Sequence, residues 1–145
     1  MNPNTPAFSL RQARDEADLH AAQRLRYDVF VRELGGDGTL VDHDAGLERD
    51  RFDPWFEHLL LIDEARAGAV VGVSRLLPPE QRAEAAQYYS EDEYDLERLL
   101  SSGRRLLELG RSCVHADYRG GVAMMHLRNG LSDYIAAHSI EVMFG

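Results

Sequence analysis

Phe8, Leu10 and Ala13 alternate loosely with polar neighbours and predict a short opening strand. From Asp15, a residue suited to capping a helix, Leu19, Ala22, Leu25, Val29, Phe30 and Leu34 recur at three- and four-residue steps until Gly35-Gly36 stops them. That is the period of one amphipathic helix. Residues 35–54 carry Gly35, Gly36, Gly38, Gly46 and Pro54 among many acids, which predicts a long loop with one short helical turn. His58 to Ile62 and Ala69 to Leu77 are apolar runs on either side of the turn-like Asp63 to Gly68. They predict an antiparallel hairpin that Pro78-Pro79 ends.

Residues 80–103 are charged and Tyr-rich, with helix formers at Glu80 to Gln87 and Asp95 to Leu100, and have the pattern of an excursion between strands more than of core. Strand character resumes from Arg105 to His115, where Leu107, Leu109 and Cys113 alternate with Glu108 and Arg111 and Gly110 marks an irregularity. Arg119-Gly120-Gly121 then leads into a helix bearing Val122, Met125, Leu127, Leu131, Tyr134 and Ile135, and Ile140 to Phe144 begins a further strand before the chain stops at Gly145. No internal repeat or interdomain linker interrupts the pattern.

With 145 residues, 44% hydrophobic and 28% charged, the chain fits one domain over residues 1–145 and lies outside the regime of disorder. Its longest apolar stretches, Leu59 to Ile62 and Ala67 to Val73, fall short of the roughly 20 residues of a membrane span. No signal-peptide pattern opens the chain and its single Cys has no internal disulfide partner, so a reducing cytoplasm is expected. All 16 basic residues are Arg, which removes Schiff-base chemistry and the lysine-bearing phosphate loop. The net charge of -9 argues against general nucleic-acid binding.

The strongest local signal is Val114-His115-Ala116-Asp117-Tyr118-Arg119-Gly120-Gly121-Val122-Ala123, a strand end delivering two glycines to a helix N-terminus. Free amides at the positive end of the helix dipole suit a phosphate or pyrophosphate. The same residues also fit an ordinary strand-to-helix turn.

Preceded by Leu107-Glu108-Leu109-Gly110-Arg111-Ser112-Cys113-Val114, this passage resembles the GNAT superfamily of N-acyltransferases. Arg24 to Phe30, Phe52-Asp53, His58 to Leu60, Val71 to Leu77, Tyr88 to Glu91 and Tyr94 to Leu96 extend the resemblance to the ornithine N-acyltransferases that begin ornithine-lipid synthesis. The resemblance implies an α/β (α+β) fold, a mixed, mostly antiparallel sheet flanked by helices, whose C-terminal elements are missing from this sequence. It implies a 3-hydroxyacyl group carried on phosphopantetheine, from acyl carrier protein or acyl-CoA, passing to the α-amine of a small amino acid. It further implies no tightly bound cofactor and at most peripheral membrane contact. The donor side would be Cys113, Val114, Arg119, Gly120, Gly121, Val122 and Ala123. Acyl-homoserine lactone synthases share the scaffold, and their functional set matches Arg26, Phe30, Asp50, Asp53, Arg75, Glu108 and Arg111 here. Their tryptophan after the first helix has no counterpart among Leu34 to Leu40, which favours the lipid enzyme.

Transfer from a thioester to an amine requires a polarised carbonyl and a proton acceptor, without metal or redox cofactor. Glu108 is the candidate base and Arg111 its catalytic neighbour; the same carboxylate could equally be paired with Arg111 or Arg75. Amides near Cys113 and Val114 would serve the carbonyl if the strand loosens at Gly110, while Cys113 itself suits a small core residue better than a nucleophile. Asp42, Asp44, Glu48, Asp50 and Asp53 form a solvated loop or a surface for a cationic amino acid, with Asp53 facing an amine and Arg26 or Arg75 its carboxylate. The calcium-loop pattern fails at Gly46, and no His pair has zinc spacing. Arg104, Arg105, Arg111, Arg119 and Arg128 would offer a patch to an acidic carrier protein. A lactone synthase using S-adenosylmethionine, a generic acetyl-CoA-dependent N-acetyltransferase and a non-catalytic pantetheine-binding domain remain alternatives.

Overall fold

Alternation along an apolar strand sends successive side chains to opposite faces of a sheet, and a sheet apolar on both faces must be covered on both. The computed structural model, which describes residues 5–145, meets that demand with five strands: β1 (Phe8–Gln12), β2 (Glu57–Asp63), β3 (Ala69–Leu77), β4 (Leu106–Val114) and β5 (Val142–Phe144). They lie side by side in sequence order, antiparallel except for β4 and β5, which are parallel. Leu59, Leu61, Val71, Leu76, Leu107 and Val114 pack beneath helix α4 (Val122–Ala137), against its Ala123, Leu127 and Tyr134. On the other face Leu60, Ile62, Val73 and Cys113 meet Ala22 and Leu25 of helix α1 (Glu16–Arg26) and Val29 just beyond it. Gly130 makes the α4 contact close: a Cβ there would lie 3.1 Å from Leu10 Cδ1.

The predicted first helix exists, capped by the Asp15 carboxylate, which accepts from the Asp18 amide at 2.9 Å. Beyond Arg26 it widens into a π-helical stretch, Tyr27–Glu33, in which the Leu34 amide reaches back five residues to Val29. Such widened turns concentrate at functional sites. Residues 80–103 carry the expected helices between β3 and β4 but, unlike the expectation, contribute to the core. Helix α2 (Pro79–Ala85), a 3₁₀ turn (Tyr89–Asp92) and helix α3 (Glu97–Leu100) bring buried Ala85 and Tyr88 against Phe52, Phe56, Leu77 and Leu106, a third apolar cluster.

The irregularity in β4 is a one-residue bulge. Val73 pairs with Cys113 but Arg75 pairs with Gly110, so Ser74 stands opposite both Arg111 and Ser112. Parity changes there: Leu107 and Leu109 face α4, and after the bulge so does Val114. Arg111 itself takes the left-handed conformation with φ of 49°, uncommon for a residue with a side chain. The extra residue releases Arg111 from the α4 side and turns it toward the acids of residues 48–53.

Candidate active site

Those acids are not a solvated loop. Glu48 and Asp53 are buried, and with Asp50 they interleave with three arginines from different elements. Arg26 of α1 is 0% exposed; it donates from Nε to Glu48 Oε2 at 2.6 Å and from Nη1 to Asp53 Oδ1 at 2.7 Å. Arg75 of β3 donates from Nη1 to Asp50 Oδ1 at 2.7 Å and to Asp53 Oδ1 at 2.9 Å. Gln23 donates to Asp53 Oδ2 at 3.0 Å, and His58 Nε2 lies 3.2 Å from Arg26 Nη1. Burial alone would raise the Asp53 carboxyl; the hydrogen bond from His58 and the charges of Arg26 and Arg75 outweigh it and hold the group far below the usual carboxylate range. The expected roles are thereby corrected. Asp53 faces two guanidinium groups, not a substrate amine; Arg26 donates to Glu48 and Asp53, and Arg75 donates from Nη1 to Asp50 and Asp53 while its buried Nε has no partner.

Asp50 and Arg111 remain open to solvent. With residues 37–41, Phe52 and Tyr89 they line a cavity of about 490 Å3. The Arg111 guanidinium lies 5.8 Å from the Phe30 ring centroid and 5.3 Å from that of Tyr89, which places Phe30 beside the site. His58 and Tyr89 were the members hardest to foresee. His58 shares the inward parity of Leu60 and Ile62, a polar residue in an apolar register, and that was the available signal. Nothing local marks Tyr89.

Glu108 pairs with neither arginine. It is 1% exposed, and its two oxygens accept the amides of Tyr89 at 2.7 Å and Ser90 at 2.8 Å. A carboxylate so engaged has no face toward the cavity; it fixes the turn that carries the Tyr89 ring.

Beyond the bulge β4 has one edge paired with β3 and one turned away from it. β5 pairs with Leu106, Leu107 and Glu108 of β4. His115 donates its amide to Val71 of β3 at 2.8 Å, so by alternation the Cys113 amide also turns to β3 and the Val114 amide turns to the other edge. Of the two expected amide donors, Val114 alone is turned away from β3. Burial pushes the Cys113 thiol up to about 12, the mark of a core residue.

The edge runs into the glycine turn. Gly121, with φ of 96°, is the N-cap of α4 and supplies no side-chain bond to it, and the first helical amide bonded to a cap carbonyl is that of Met125, to Gly121. The amides of Val122, Ala123 and Met124 are therefore without an intrahelical acceptor. A Cβ at Gly120 or Gly121 would touch nothing within 4 Å, so the corner is open. Arg119 is not free for an anion: its Nη1 and Nη2 each donate to Glu33 at 2.8 Å, and its Nε donates to the Val114 carbonyl at 3.0 Å. Of the five arginines expected to form a patch, Arg105 is paired with Glu80 at 2.6 Å, Arg111 with the acids and Arg119 with Glu33, while Arg104 and Arg128 are exposed. Among the described residues no helix is long and apolar enough to cross a membrane.

Residues 25–129 match the acetyltransferase (GNAT) domain family. An L-ornithine N(alpha)-acyltransferase from Rhodobacter capsulatus is 54% identical over 143 residues, 96% of this chain and 55% of that protein. Another from Brucella abortus is 41% identical over 145 residues, 96% of this chain and 52% of that protein. The chain thus spans about half the length of the curated relatives it matches. The solved structure of BjaI, a CoA-dependent acyl-homoserine lactone synthase, superposes with a TM-score of 0.67 at 23% identity, over 94% of this chain and 65% of that one, a likeness of fold.

Proposed function

The chain belongs to the acetyltransferase (GNAT) domain family, and on that premise we propose that it acts as an N-acyltransferase moving a 3-hydroxyacyl group from acyl carrier protein to the α-amine of L-ornithine, giving lyso-ornithine lipid. The observation that carries this reading is the uncapped first turn of α4 at the open Gly120-Gly121 corner, at the end of the β4 edge to which the Val114 amide turns. A phosphopantetheine arm laid along that edge puts its phosphate at the amides of Val122 and Ala123 and its thioester carbonyl at the Val114 amide. Acyl-CoA carries the same arm, and the two donors differ only in what lies beyond the phosphate.

The neutral amine nitrogen attacks the polarised carbonyl carbon, the C–S bond breaks, and the proton the nitrogen loses is taken up by the departing thiolate. The Val114 N–H stabilises the oxyanion, and such donors contribute on the order of 100-fold or more in rate. Glu108 serves in this reading as a positioning residue: through the Tyr89 and Ser90 amides it holds the Tyr89 ring near Arg111. The names of the two relatives, both L-ornithine N(alpha)-acyltransferases, support the acceptor.

The test is incubation with 3-hydroxyacyl carrier protein, 3-hydroxyacyl-CoA or acetyl-CoA, each with L-ornithine or S-adenosylmethionine, read by mass spectrometry. N-acylornithine from the carrier-protein donor is expected. An acyl-lactone product from S-adenosylmethionine would install the lactone-synthase reading instead, and donor binding without any product would leave a pantetheine-binding domain.

A further inference from the structure

Within the charged cluster four buried side-chain atoms lack a hydrogen-bond partner: Gln23 Oε1, Arg75 Nε, Asp50 Oδ2 and Arg111 Nε. Of these, Asp50 Oδ2 and Arg111 Nε belong to residues that line the cavity. Their side chains are nonetheless 21% and 29% exposed, and both residues line the 490 Å3 cavity. Arg111 Nε lies 3.2 Å from Glu48 Oε1 but off the line of a hydrogen bond. Arg111 Nη2 and Asp50 Oδ2 are 3.7 Å apart, too far to bond each other directly. Leaving a buried carboxylate oxygen and a guanidinium N–H unmatched is costly, and each such pair in a folded protein calls for an explanation.

A ligand that carries a donor and an anionic acceptor on one carbon supplies it. We propose that Asp50 and Arg111 clamp the head group of a free α-amino acid, with Asp50 Oδ2 accepting from the α-nitrogen and Arg111 donating from Nε and Nη2 to the α-carboxylate. Arg111 is suited to this because its guanidinium is a planar fork matched to a carboxylate. It is held at the right height by the β4 bulge and flanked by the Phe30 and Tyr89 rings. Leu40, Val41 and Phe52 in the cavity wall can receive methylenes, and Asp37 in the same wall suits a second ammonium. The clamp deepens the acyl-transfer reading and rests on it for the direction in which the α-nitrogen must face. It also reassigns substrate recognition from Asp53, Arg26 and Arg75, which hold one another, to the two incompletely matched cluster members that line the cavity.

Binding alone tests the clamp, by calorimetric titration of the full chain in the absence of any acyl donor. The probes are L-ornithine, 1,4-diaminobutane, which lacks the carboxylate, and 5-aminopentanoate, which lacks the α-amine. Each deletion removes a hydrogen bond to a charged group and is expected to weaken binding by about 10-fold to 100-fold. Arg111→Gln is expected to bring ornithine down to the affinity of the diamine while leaving the diamine unchanged. Asp50→Asn is expected to bring ornithine down to 5-aminopentanoate while leaving that probe unchanged. Equal binding of the three probes by the unsubstituted chain, or no binding of ornithine at millimolar concentration, overturns the clamp without relying on any variant. So does an equal loss for all probes in both variants, which would make the pair purely structural. If the probe preferences hold but mass spectrometry finds no acylated product, acyl transfer fails and the clamp stands; if product forms while the probes bind alike, the clamp fails and acyl transfer stands.

Discussion

Cys113 lies one residue from the outward Val114 amide, yet its thiol is unfit to attack a thioester. With burial pushing it up to about 12, only about one thiol in ten thousand is ionised at pH 8. Cys113→Ala is therefore expected to keep turnover within about threefold and to cost about 1 kcal/mol of stability, and iodoacetamide should label the native protein far more slowly than the urea-unfolded chain. Abolished turnover with the fold intact would reinstate an acyl-enzyme. Arg26 is the opposite case, a fully buried cation whose partners depend on it. Arg26→Met leaves Glu48 and Asp53 short of a counter-charge and is expected to destabilise by about 3–5 kcal/mol in urea unfolding. The pH dependence carries the same signature. The folded Asp53 carboxyl lies below its ordinary value, whereas in the unfolded chain it protonates near about 3.9. Its contribution is thus fully present above that range and is lost as pH falls through it toward the folded value. The unfolding midpoint in urea should stay level from about pH 8 to 5 and fall below about 4; in Arg26→Met the fall should be shallower, because less of the depression of Asp53 remains to be lost, and an identical profile would deny Arg26 its part in holding Asp53 ionised.

At the scale of elements, β4 does two jobs with one bulge. Before it Leu106, Leu107 and Glu108 pair with β5, and beyond it the Cys113 amide turns to β3 while the Val114 amide turns away from it. The two amides on either side of one peptide unit therefore differ in kind, and proline, which removes a single N–H, separates them. Val114→Pro deletes the amide facing the open edge and spares the ladder to β3, so it is expected to fold and to lose about 100-fold or more in kcat with a smaller change in donor KM. Cys113→Pro deletes an amide turned to β3 in a central strand and is expected to prevent folding, as judged by circular dichroism. Two variants equally folded and equally active would show that the edge amide plays no part in the transfer. The turn after β4 is braced separately: the Tyr118 hydroxyl donates to the buried Asp63 carboxylate at 2.7 Å, and Arg119 reaches Glu33 at the end of the π-helical stretch. Gly120 and Gly121 are thus an open corner slung between two fixed points.

Across the whole molecule, what was legible in the sequence is what local pattern determines. Two apolar runs about a turn marked the hairpin of β2 and β3, the Gly35-Gly36 stop fell just beyond the π-helical stretch, and Gly110 announced the bulge beside Arg111. The charged cluster was not legible as a cluster, because the acids of residues 48–53 meet arginines that lie 22 or more residues away in sequence, and burial of charge is decided by tertiary pairing. The same pairing bears on the proposed carrier-protein donor. Arg119 at the glycine turn is held by Glu33, and Arg105, at the far end of β4, by Glu80, while the chain as a whole carries -9. Long-range repulsion then opposes the approach of an acidic carrier protein, and salt, which shortens the screening length from about 30 Å at 0.01 M to about 8 Å at 0.15 M, relieves it. Raising NaCl from about 0.01 to about 0.15 M should therefore lower the KM for the carrier-protein donor by about twofold or more and leave the KM for acyl-pantetheine, which has no protein partner, unchanged. A KM that instead rises several-fold with salt for the carrier-protein donor alone would show that a basic docking patch survives the pairing and outweighs the net charge.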